Sequence, residues 1–263
     1  MANPEAIKQK WLKNLLKAHK SKKSSESLVR SIGKLSEKGA YEVQFDLIQN
    51  WMDQKERIIG WKVGATSYPI MKQIGIDEPI FGHMTTVSDY TSKSSIKASD
   101  FCNLAVEAEI AFVLNKALKG PGVTSADIFS STAYITGAVE LVDCRVTDWQ
   151  PAITEAIADN SLHAGLVLGP VMEKIEGLDL RLEGAVISKN GTLLASGCGI
   201  EALGNPINVV TWLANKLSEY DREIEAGNII LTGSLTNYFR VEPGDTVDVS
   251  FSNLGSIQFH IDK

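Results

Sequence analysis

The 263-residue sequence lacks the features that would place it in a membrane or in an oxidising compartment. No apolar run approaches the ~20 residues of a membrane-spanning helix, and the first residues contain no apolar segment typical of a secretory signal. Its three cysteines, Cys102, Cys144 and Cys198, are widely spaced and odd in number, which is typical of reduced thiols. We therefore expect a cytoplasmic protein with no membrane partner.

Several motifs of common enzyme chemistry are also missing. There is no Walker loop and no G-x-S-x-G elbow, and the stretch GCGIEALG departs from G-x-G-x-x-G. No C-x-x-C pair is present, which argues against a structural zinc site. Ser161 and His163 are close in sequence, but nothing else indicates a catalytic triad. We expect His163 to be a packed or surface histidine, and we retain only His83 as a histidine candidate for a site.

The charge is unevenly distributed along the chain. Residues 1–38 carry ten Lys and Arg against three Glu, a net charge of +7, which leaves −13 for the remainder. Within them, Ile7, Trp11, Leu15 and Ala18 follow helical spacing. A nucleic-acid arm, a membrane-surface helix and a transit peptide are alternatives. A helix that docks its apolar stripe on the protein body is the favoured interpretation, and no nucleic-acid partner is expected.

Hydrophobic periodicity divides the chain into a helical start and a strand-rich remainder. A second helix is indicated where Tyr41, Phe45, Ile48 and Met52 recur at helical spacing, and Ser24 or Ser25 is a candidate helix cap. From Ile58 onward, short apolar runs alternate with turn signals. We predict an α+β protein with a helical N-terminal segment, residues 1–57, packing on a strand-rich catalytic domain, residues 58–263.

Three further elements are predicted within the second part. A hairpin should turn at Asn190-Gly191, because that dipeptide favours the turn of a two-residue β-hairpin. Helices are expected near residues 125–134 and over residues 207–220, the latter after a Gly-Asn-Pro start signal.

Two apolar strands contain acidic residues that an ordinary core would not tolerate. In NLAVEAEIAFVL, residues 103–114, Glu107 and Glu109 fall on one face because strand side chains alternate. Glu140 interrupts a second apolar run, and there it shares a face with Val142. Hydrated strand ends would explain each acid separately. Together, the three acids suit a divalent cation, and an all-oxygen set favours Mg²⁺ or Mn²⁺ over zinc.

Five segments carry a family resemblance: GWKVGATS, VEAEIAFVL, VELVDCRVTDW, IADNSLHAGLVLG and AGNIILTGSLT. From about Ala40 to the C-terminus, the chain resembles the 2-keto-4-pentenoate hydratase and 4-oxalocrotonate decarboxylase family of the fumarylacetoacetate hydrolase superfamily. The resemblance implies a mixed β-roll with a helical N-terminal part, and homo-oligomers. It also implies Mg²⁺ or Mn²⁺ on Glu107, Glu109 and Glu140, with a 2-oxo acid substrate chelating the metal.

The resemblance assigns roles to four further residues. Lys62 matches the family lysine that faces the site and is the implied catalytic residue. Ser161 matches a position near the substrate carboxylate, and Thr232 and Ser234 lie in a turn that resembles the far wall of the pocket. An exposed strand lysine and ordinary turn residues are the alternative interpretations of these positions.

The resemblance leaves two chemistries in competition. The leading hypothesis is a metal-dependent lyase that adds water to a 2-hydroxy-2,4-dienoate, as in aromatic meta-cleavage catabolism. Its rival is decarboxylation of a 2-oxo-enedioate. Ile80 stands where the hydratases usually have an acid, which favours the decarboxylase, and Asp77, Glu78 or His83 would have to replace that acid. Other segments resemble hydratases more closely. A non-catalytic partner subunit, or a complex with another pathway enzyme, is a further alternative.

Overall fold

The computed structural model describes residues 3–263, and this part of the chain begins with three helices. They are α1 (Pro4–Ser21), α2 (Leu28–Ser31) and α3 (Glu37–Asp53). Asn3 caps α1, because its side chain accepts a hydrogen bond from the backbone N–H of Glu5. Pro4 occupies the first turn, where a missing N–H leaves no helical bond unmade.

The apolar stripe of α1 is docked as its spacing predicted. Trp11, Leu15 and Ala18 are buried, and Trp11 and Leu15 join the main hydrophobic core. The lysines of α1 remain on the opposite, hydrated side or at the edges of the stripe. The excess of positive charge near the N-terminus therefore comes largely from the exposed side of an amphipathic helix whose apolar side is buried.

Two details of α2 and α3 differ from the prediction: the residues that cap them and the burial of Met52. Ser27 and Ser36 cap α2 and α3, so the predicted cap at Ser24 or Ser25 is wrong. Ser25 instead forms a short bridge to Val146, where backbone pairing satisfies its polar groups. In α3, the last buried residues are Leu47 and Ile48. Met52 lies beyond them near the end of the helix and is 40% exposed.

A seven-stranded sheet forms the larger part of the strand-rich region. Its main path runs β2 (Ile80–Thr85), β1 (Ile58–Gly64), β9 (Ile229–Leu231), β4 (Leu104–Leu114), β5 (Thr132–Asp143) and β6 (His163–Leu168). The short strand β10 (Phe239–Arg240) also pairs with β4. All pairs are antiparallel except β1 with β9.

This sheet curls into a roll. Five inward residues from five different strands form one buried apolar cluster, the inner plug: Met84, Ala111, Ala138, Leu166 and Leu231. Because β2 and β6 lie at opposite ends of the sheet path and still meet in this cluster, its side of the sheet must be concave. We call that side the inner face. The outer face carries the alternate side chains and the helical layer.

A second, five-stranded sheet packs beside the roll. Its order is β3 (Ser95–Lys97), β12 (Ser256–Asp262), β11 (Thr246–Phe251), β7 (Gly184–Lys189) and β8 (Thr192–Cys198). Asn190 and Gly191 form the predicted hairpin turn, with φ of 53° and 75°. Gly137 of β5 makes room for Phe251, since a Cβ there would lie 2.5 Å from its ring.

Four short or medium helices complete the structure: α4 (Tyr68–Ile74), α5 (Ser125–Ser131), α6 (Ile153–Ala158) and α7 (Pro206–Ser218). The helix expected over residues 125–134 ends earlier, because β5 begins at Thr132. Asn205 caps α7 as the start signal predicted. Among the described residues, no helix is long and apolar enough to cross a membrane. The α+β class is confirmed, whereas the division at residues 57 and 58 stays a prediction.

Candidate metal and substrate site

The pairing of β4 with β5 brings three carboxylates together on the inner face. Glu107 stands opposite Glu140, and Glu109 stands opposite Ala138 of the inner plug. Paired residues of antiparallel strands share a face, so all three acids belong to the layer next to the plug. One oxygen from each acid can be chosen so that the three lie within 4.8 Å of one another.

Burial decides between hydrated strand ends and a shared site. Glu109 and Glu140 are 0% exposed, while Glu107 is only half-buried and marks the side on which the cluster opens. Oε1 of Glu109 has no hydrogen-bond partner among the described residues, and the same is true of Oε2 of Glu140. A hydrated strand end does not leave carboxylate oxygens buried in this way.

The proton affinities of the three acids differ because their surroundings differ. Burial, followed by the charge of Glu140, raises the pKa of Glu107 to about 7. Burial and the charges of both other acids raise the pKa of Glu109 well above its usual range. Burial also opposes ionisation of Glu140, but Lys62 and His163 outweigh it and hold that pKa below its ordinary value.

Lys62 projects from β1 into the same space. Its Nζ lies 3.3 Å from Oε2 of Glu140, and the residue is buried. It is paired with Leu231 of the inner plug, so it too belongs to the inner face. Burial opposes its charge, but the charges of Glu140, Glu107 and Glu109 prevail and raise its pKa. The exposed strand lysine considered as the alternative does not describe this side chain.

His163 is a site residue that the sequence analysis missed. It is buried, and its Nδ1 lies 2.8 Å from Oε1 of Glu140, while its Nε2 lies 3.3 Å from the hydroxyl of Ser88. A register shift in the pairing of β5 with β6 falls next to His163 and lets it reach Glu140. A histidine in this position fixes the orientation of the Glu140 carboxylate.

The loop after β9 closes the other side of the cluster. The backbone N–H of Gly233 donates to Oε2 of Glu109 at 2.7 Å. The hydroxyl of Thr232 donates to the carbonyl of Ile110 and is therefore engaged in holding the loop to β4. Ser234 is half-buried beside these residues. Thr232 and Ser234 thus lie in the loop that contacts the carboxylate cluster.

Ser161 faces a small space shared with Lys62. Its backbone has φ of 54°, and its buried hydroxyl has no hydrogen-bond partner among the described residues. A Cβ on Gly64 would lie 3.1 Å from Nζ of Lys62, 3.3 Å from the hydroxyl of Ser161 and 3.6 Å from Ile80. The glycine keeps this space open, and Ile80 contributes an apolar group to it.

Glu78 and the reserve histidine lie elsewhere. His83 pairs with Trp61, not with Lys62, so it belongs to the outer face, where its ring packs 4.4 Å from the indole. His83 therefore does not project toward the carboxylate cluster. Glu78 forms an ion pair with Lys216 at 2.8 Å. Its carboxylate is therefore engaged there.

The residues of the inner face fit a hard divalent cation. Three carboxylates converge, two of their oxygens are buried without a hydrogen-bond partner, and a backbone N–H and a histidine orient the acids from outside. Such cations prefer oxygen ligands, and a bound cation would remove the repulsion among three buried like charges.

Together, the roll and its inward carboxylates define an α+β protein with a candidate metal centre inside a curled sheet. The family model described as fumarylacetoacetate (FAA) hydrolase C-terminal matches residues 69–262. The chain therefore belongs to the fumarylacetoacetate hydrolase family, and the resemblance of its five segments is confirmed.

Relatives with two different activities are similar to this chain. It is 33% identical to the 2-hydroxyhexa-2,4-dienoate hydratase of Comamonas testosteroni over 249 residues, covering 93% of this chain and 94% of that protein. It is also 33% identical to a 4-oxalocrotonate decarboxylase of Pseudomonas putida over 218 residues, covering 83% of each.

Among solved structures, it resembles the 4-oxalocrotonate decarboxylase of Pseudomonas putida G7 complexed with magnesium and adipate, with a TM-score of 0.94, 28% identity and 99% coverage of both chains.

Proposed function

We propose that this chain is a metal-dependent lyase that adds water to a 2-hydroxy-2,4-dienoate and yields a 4-hydroxy-2-oxo acid. The observation that carries the proposal is the buried cluster of Glu107, Glu109 and Glu140 with Lys62 beside it. Relatives named as hydratases of dienoates support the reaction class. Buried, unbalanced carboxylates are expensive, and their retention favours a function over a structural role.

We infer that Glu107, Glu109 and Glu140 hold one Mg²⁺ or Mn²⁺. The all-oxygen donor set supports this choice, and so do the magnesium and calcium in two structures of the similar decarboxylase. When bound, the cation supplies a Lewis acid for the C2 oxygen and the carboxylate of a 2-oxo acid. Gly233 and His163 keep the acids oriented by their hydrogen bonds.

Lys62 and Ser161 serve the reacting part of the substrate in this proposal. The ammonium of Lys62 binds the substrate carboxylate or passes a proton, since hydration puts a hydroxyl on C4 and a proton on C5. The unpartnered hydroxyl of Ser161 is a donor for the same carboxylate. Thr232 and Ser234 form the far wall: Thr232 fixes the loop, and Ser234 lies at its open side.

Ile80 supports decarboxylation of a 2-oxo-enedioate as the second candidate. It is buried next to the space shared by Lys62 and Ser161, where an apolar group disfavours a carboxylate more than a neutral product. Loss of CO₂ needs an electron sink at C2 but no activated water. In this proposal neither Glu78 nor His83 replaces the missing acid, because Glu78 is paired with Lys216 and His83 projects from the other face of β2.

A spectrophotometric screen tests both candidates in one experiment. Purified protein with Mg²⁺ is given 2-hydroxydienoates and, separately, 2-oxo-enedioates, and the products are identified by mass spectrometry. Loss of the dienol absorbance with formation of a 4-hydroxy-2-oxo acid, abolished by EDTA and restored by Mg²⁺, supports the hydratase. Release of CO₂ with no hydration would invert the ranking. If no reaction occurs with either substrate in the presence of Mg²⁺, the non-catalytic partner subunit is favoured.

The cellular setting belongs to the same proposal. We expect a homo-oligomer in the cytoplasm with a small 2-oxo acid as ligand, and an association with another enzyme of the pathway is a further expectation. Sedimentation of the purified protein measures the oligomeric state.

A further inference from the structure

The inner face continues beyond the carboxylates as an apolar surface. Ala105 lies two positions before Glu107 on β4, and Val142 lies two positions after Glu140 on β5. Both belong to a second buried cluster on this face, the rim cluster: Ala105, Val142, Cys144, Val146 and Trp149, with Leu162 packed against it. Because side chains two positions apart share a strand face, this apolar cluster adjoins the candidate metal centre.

A cation without an anionic partner lies at the far end of this surface. Arg240 of β10 is paired with Ala105, so its side chain projects from the same face as Glu107. Its guanidinium carbon lies 4.9 Å from the ring centroid of Trp149. Among residues 3–263, no carboxylate lies within ion-pair distance of it, and the residue is exposed.

Trp149 provides a second unused donor at the same place. It is 9% exposed, and its indole N–H has no hydrogen-bond partner among the described residues. Its ring is stacked on Tyr238, with 4.8 Å between the ring centroids. Its backbone has φ of 55°, a conformation that residues other than glycine rarely adopt. A buried N–H that stays unpaired in this way costs stability unless a ligand accepts from it.

We propose that Arg240 and Trp149 form a subsite for the distal carboxylate of the substrate, which makes this chain selective for 2-oxo dicarboxylates. Guanidinium and indole groups both donate, and a carboxylate only accepts. Ala105 and Val142, 0% and 5% exposed, make the strand positions between the two ends apolar.

The spacing suits a short dicarboxylate. Ala105 and Glu107 lie two positions apart on β4, a rise of roughly 7 Å. The terminal carbons of an extended six-carbon diacid are about 6 Å apart, from five C–C bonds of ~1.5 Å in a zigzag. A substrate that chelates at the carboxylate cluster with its 2-oxo acid end therefore reaches the level of Arg240 with its other end.

This inference rests on the proposed function, since it takes the 2-oxo acid end to be bound at the carboxylate cluster. Three ligands separate the two claims. Oxalate probes the metal end alone, 2-oxohexanoate adds the carbon chain, and 2-oxoadipate adds the distal carboxylate. Each is titrated calorimetrically into the full-length protein with saturating Mg²⁺.

The wild type is expected to bind 2-oxoadipate about 30-fold more tightly than 2-oxohexanoate, the gain from a hydrogen-bonded charge pair. Arg240→Met should remove this preference and leave oxalate and 2-oxohexanoate unchanged. Arg240→Lys should retain part of it. Trp149→Phe, which keeps the ring and removes the N–H, should lower the preference about fivefold.

Lys189→Met is the matched control, because it removes a nearby cation whose Nζ contacts only the backbone carbonyl of Arg240 and the carboxylate of Asp245. It should keep the preference of the wild type. Equal binding of both 2-oxo acids by the wild type, or an equal loss for all three ligands in Arg240→Met, would overturn the inference. If oxalate fails to bind the wild type with Mg²⁺, the proposed function falls and the inference falls with it.

Discussion

Two buried groups of charges lie on opposite sides of β5, and they are built differently. On the inner face, Glu140 meets two other carboxylates and one lysine. On the other side, Asp143 accepts hydrogen bonds from the backbone N–H groups of residues 102 and 103 and lies 3.4 Å from the guanidinium of Arg145. Arg145 also pairs with Asp159 at 3.1 Å.

The two groups differ in how many of their carboxylate oxygens have a hydrogen-bond donor within the chain. The Asp143–Arg145–Asp159 group supplies donors to its carboxylates from within the chain, and His19 completes it at 2.9 Å from Asp159. The inner-face group leaves Oε1 of Glu109 without a partner, and Oε2 of Glu140 has only the ammonium of Lys62 at 3.3 Å. Nε of Arg145 has no partner, but both carboxylates of its group have donors, and such a group supports the fold. Buried carboxylate oxygens that lack a donor indicate a ligand instead.

The largest expected effect concerns activity. Glu109→Gln should lower kcat by roughly a thousandfold or more, because it removes a metal ligand from the centre of the site. The same change should raise the Tm of the metal-free protein, since it removes a buried acid whose ionisation is opposed by burial and by the other two acids. Steady-state kinetics with Mg²⁺ and thermal unfolding in EDTA provide the two readouts. Full activity of both this variant and EDTA-treated wild type would refute the metal assignment.

The opposite pattern is expected for the other buried group. Arg145→Met should destabilise the fold by about 3 to 5 kcal/mol, because it leaves two buried carboxylates without their shared cation. Metal binding by the fraction that remains folded should be retained. Urea unfolding measures the first effect and calorimetry the second. A variant of unchanged stability would mean that this group does not support the fold.

Lys62 is expected to contribute to the chemical step. Lys62→Met keeps much of the side-chain volume and removes the charge, and kcat should fall by on the order of a hundredfold. Circular dichroism checks that the variant is folded. An unchanged kcat would remove Lys62 from the mechanism.

The raised proton affinity of Glu107 and Glu109 predicts two pH effects. A folded acid with a raised pKa binds more protons than the unfolded chain, so the stability of the metal-free protein should fall as pH rises from about 4.5 through about 7. Affinity for Mg²⁺ should rise over the upper part of that range, because the ligands must lose their protons. Unfolding and titration at pH 5, 6, 7 and 8 measure both slopes, and slopes of the opposite sign would contradict the assignment.

The smallest expected effect is a shift between the two reactions. Ile80→Asp should raise hydration relative to decarboxylation severalfold, because it adds a carboxylate beside Lys62 that can activate water. The ratio of 4-hydroxy-2-oxo acid to CO₂ measures the shift, and Ile80→Val serves as the apolar control. A ratio unchanged by Asp would remove Ile80 from the choice of reaction.

The sequence revealed the acids of the site because they interrupt apolar strands. Glu107, Glu109 and Glu140 stand out by alternation alone, and only the pairing of β4 with β5 was needed to bring them together. The hairpin at Asn190-Gly191 and the start of α7 were predictable for a similar reason, since local turn and cap chemistry determines them.

Long-range pairing explains what the sequence did not reveal. His163 reaches Glu140 through an irregular register between β5 and β6, and no local pattern announces such a shift. His83 was a plausible site residue until its pairing with Trp61 placed it on the outer face. Met52 follows helical spacing, yet the exposed end of α3 depends on how the helix packs.

A titration of Mn²⁺ tests the central claim most directly, because the ion can be counted by calorimetry and by its electron paramagnetic resonance signal. Wild type and Asp143→Asn should each bind one Mn²⁺ per chain, whereas Glu140→Gln should bind none in the same concentration range. If Glu140→Gln binds Mn²⁺ as tightly as the wild type does, the three carboxylates of the inner face are not the metal site.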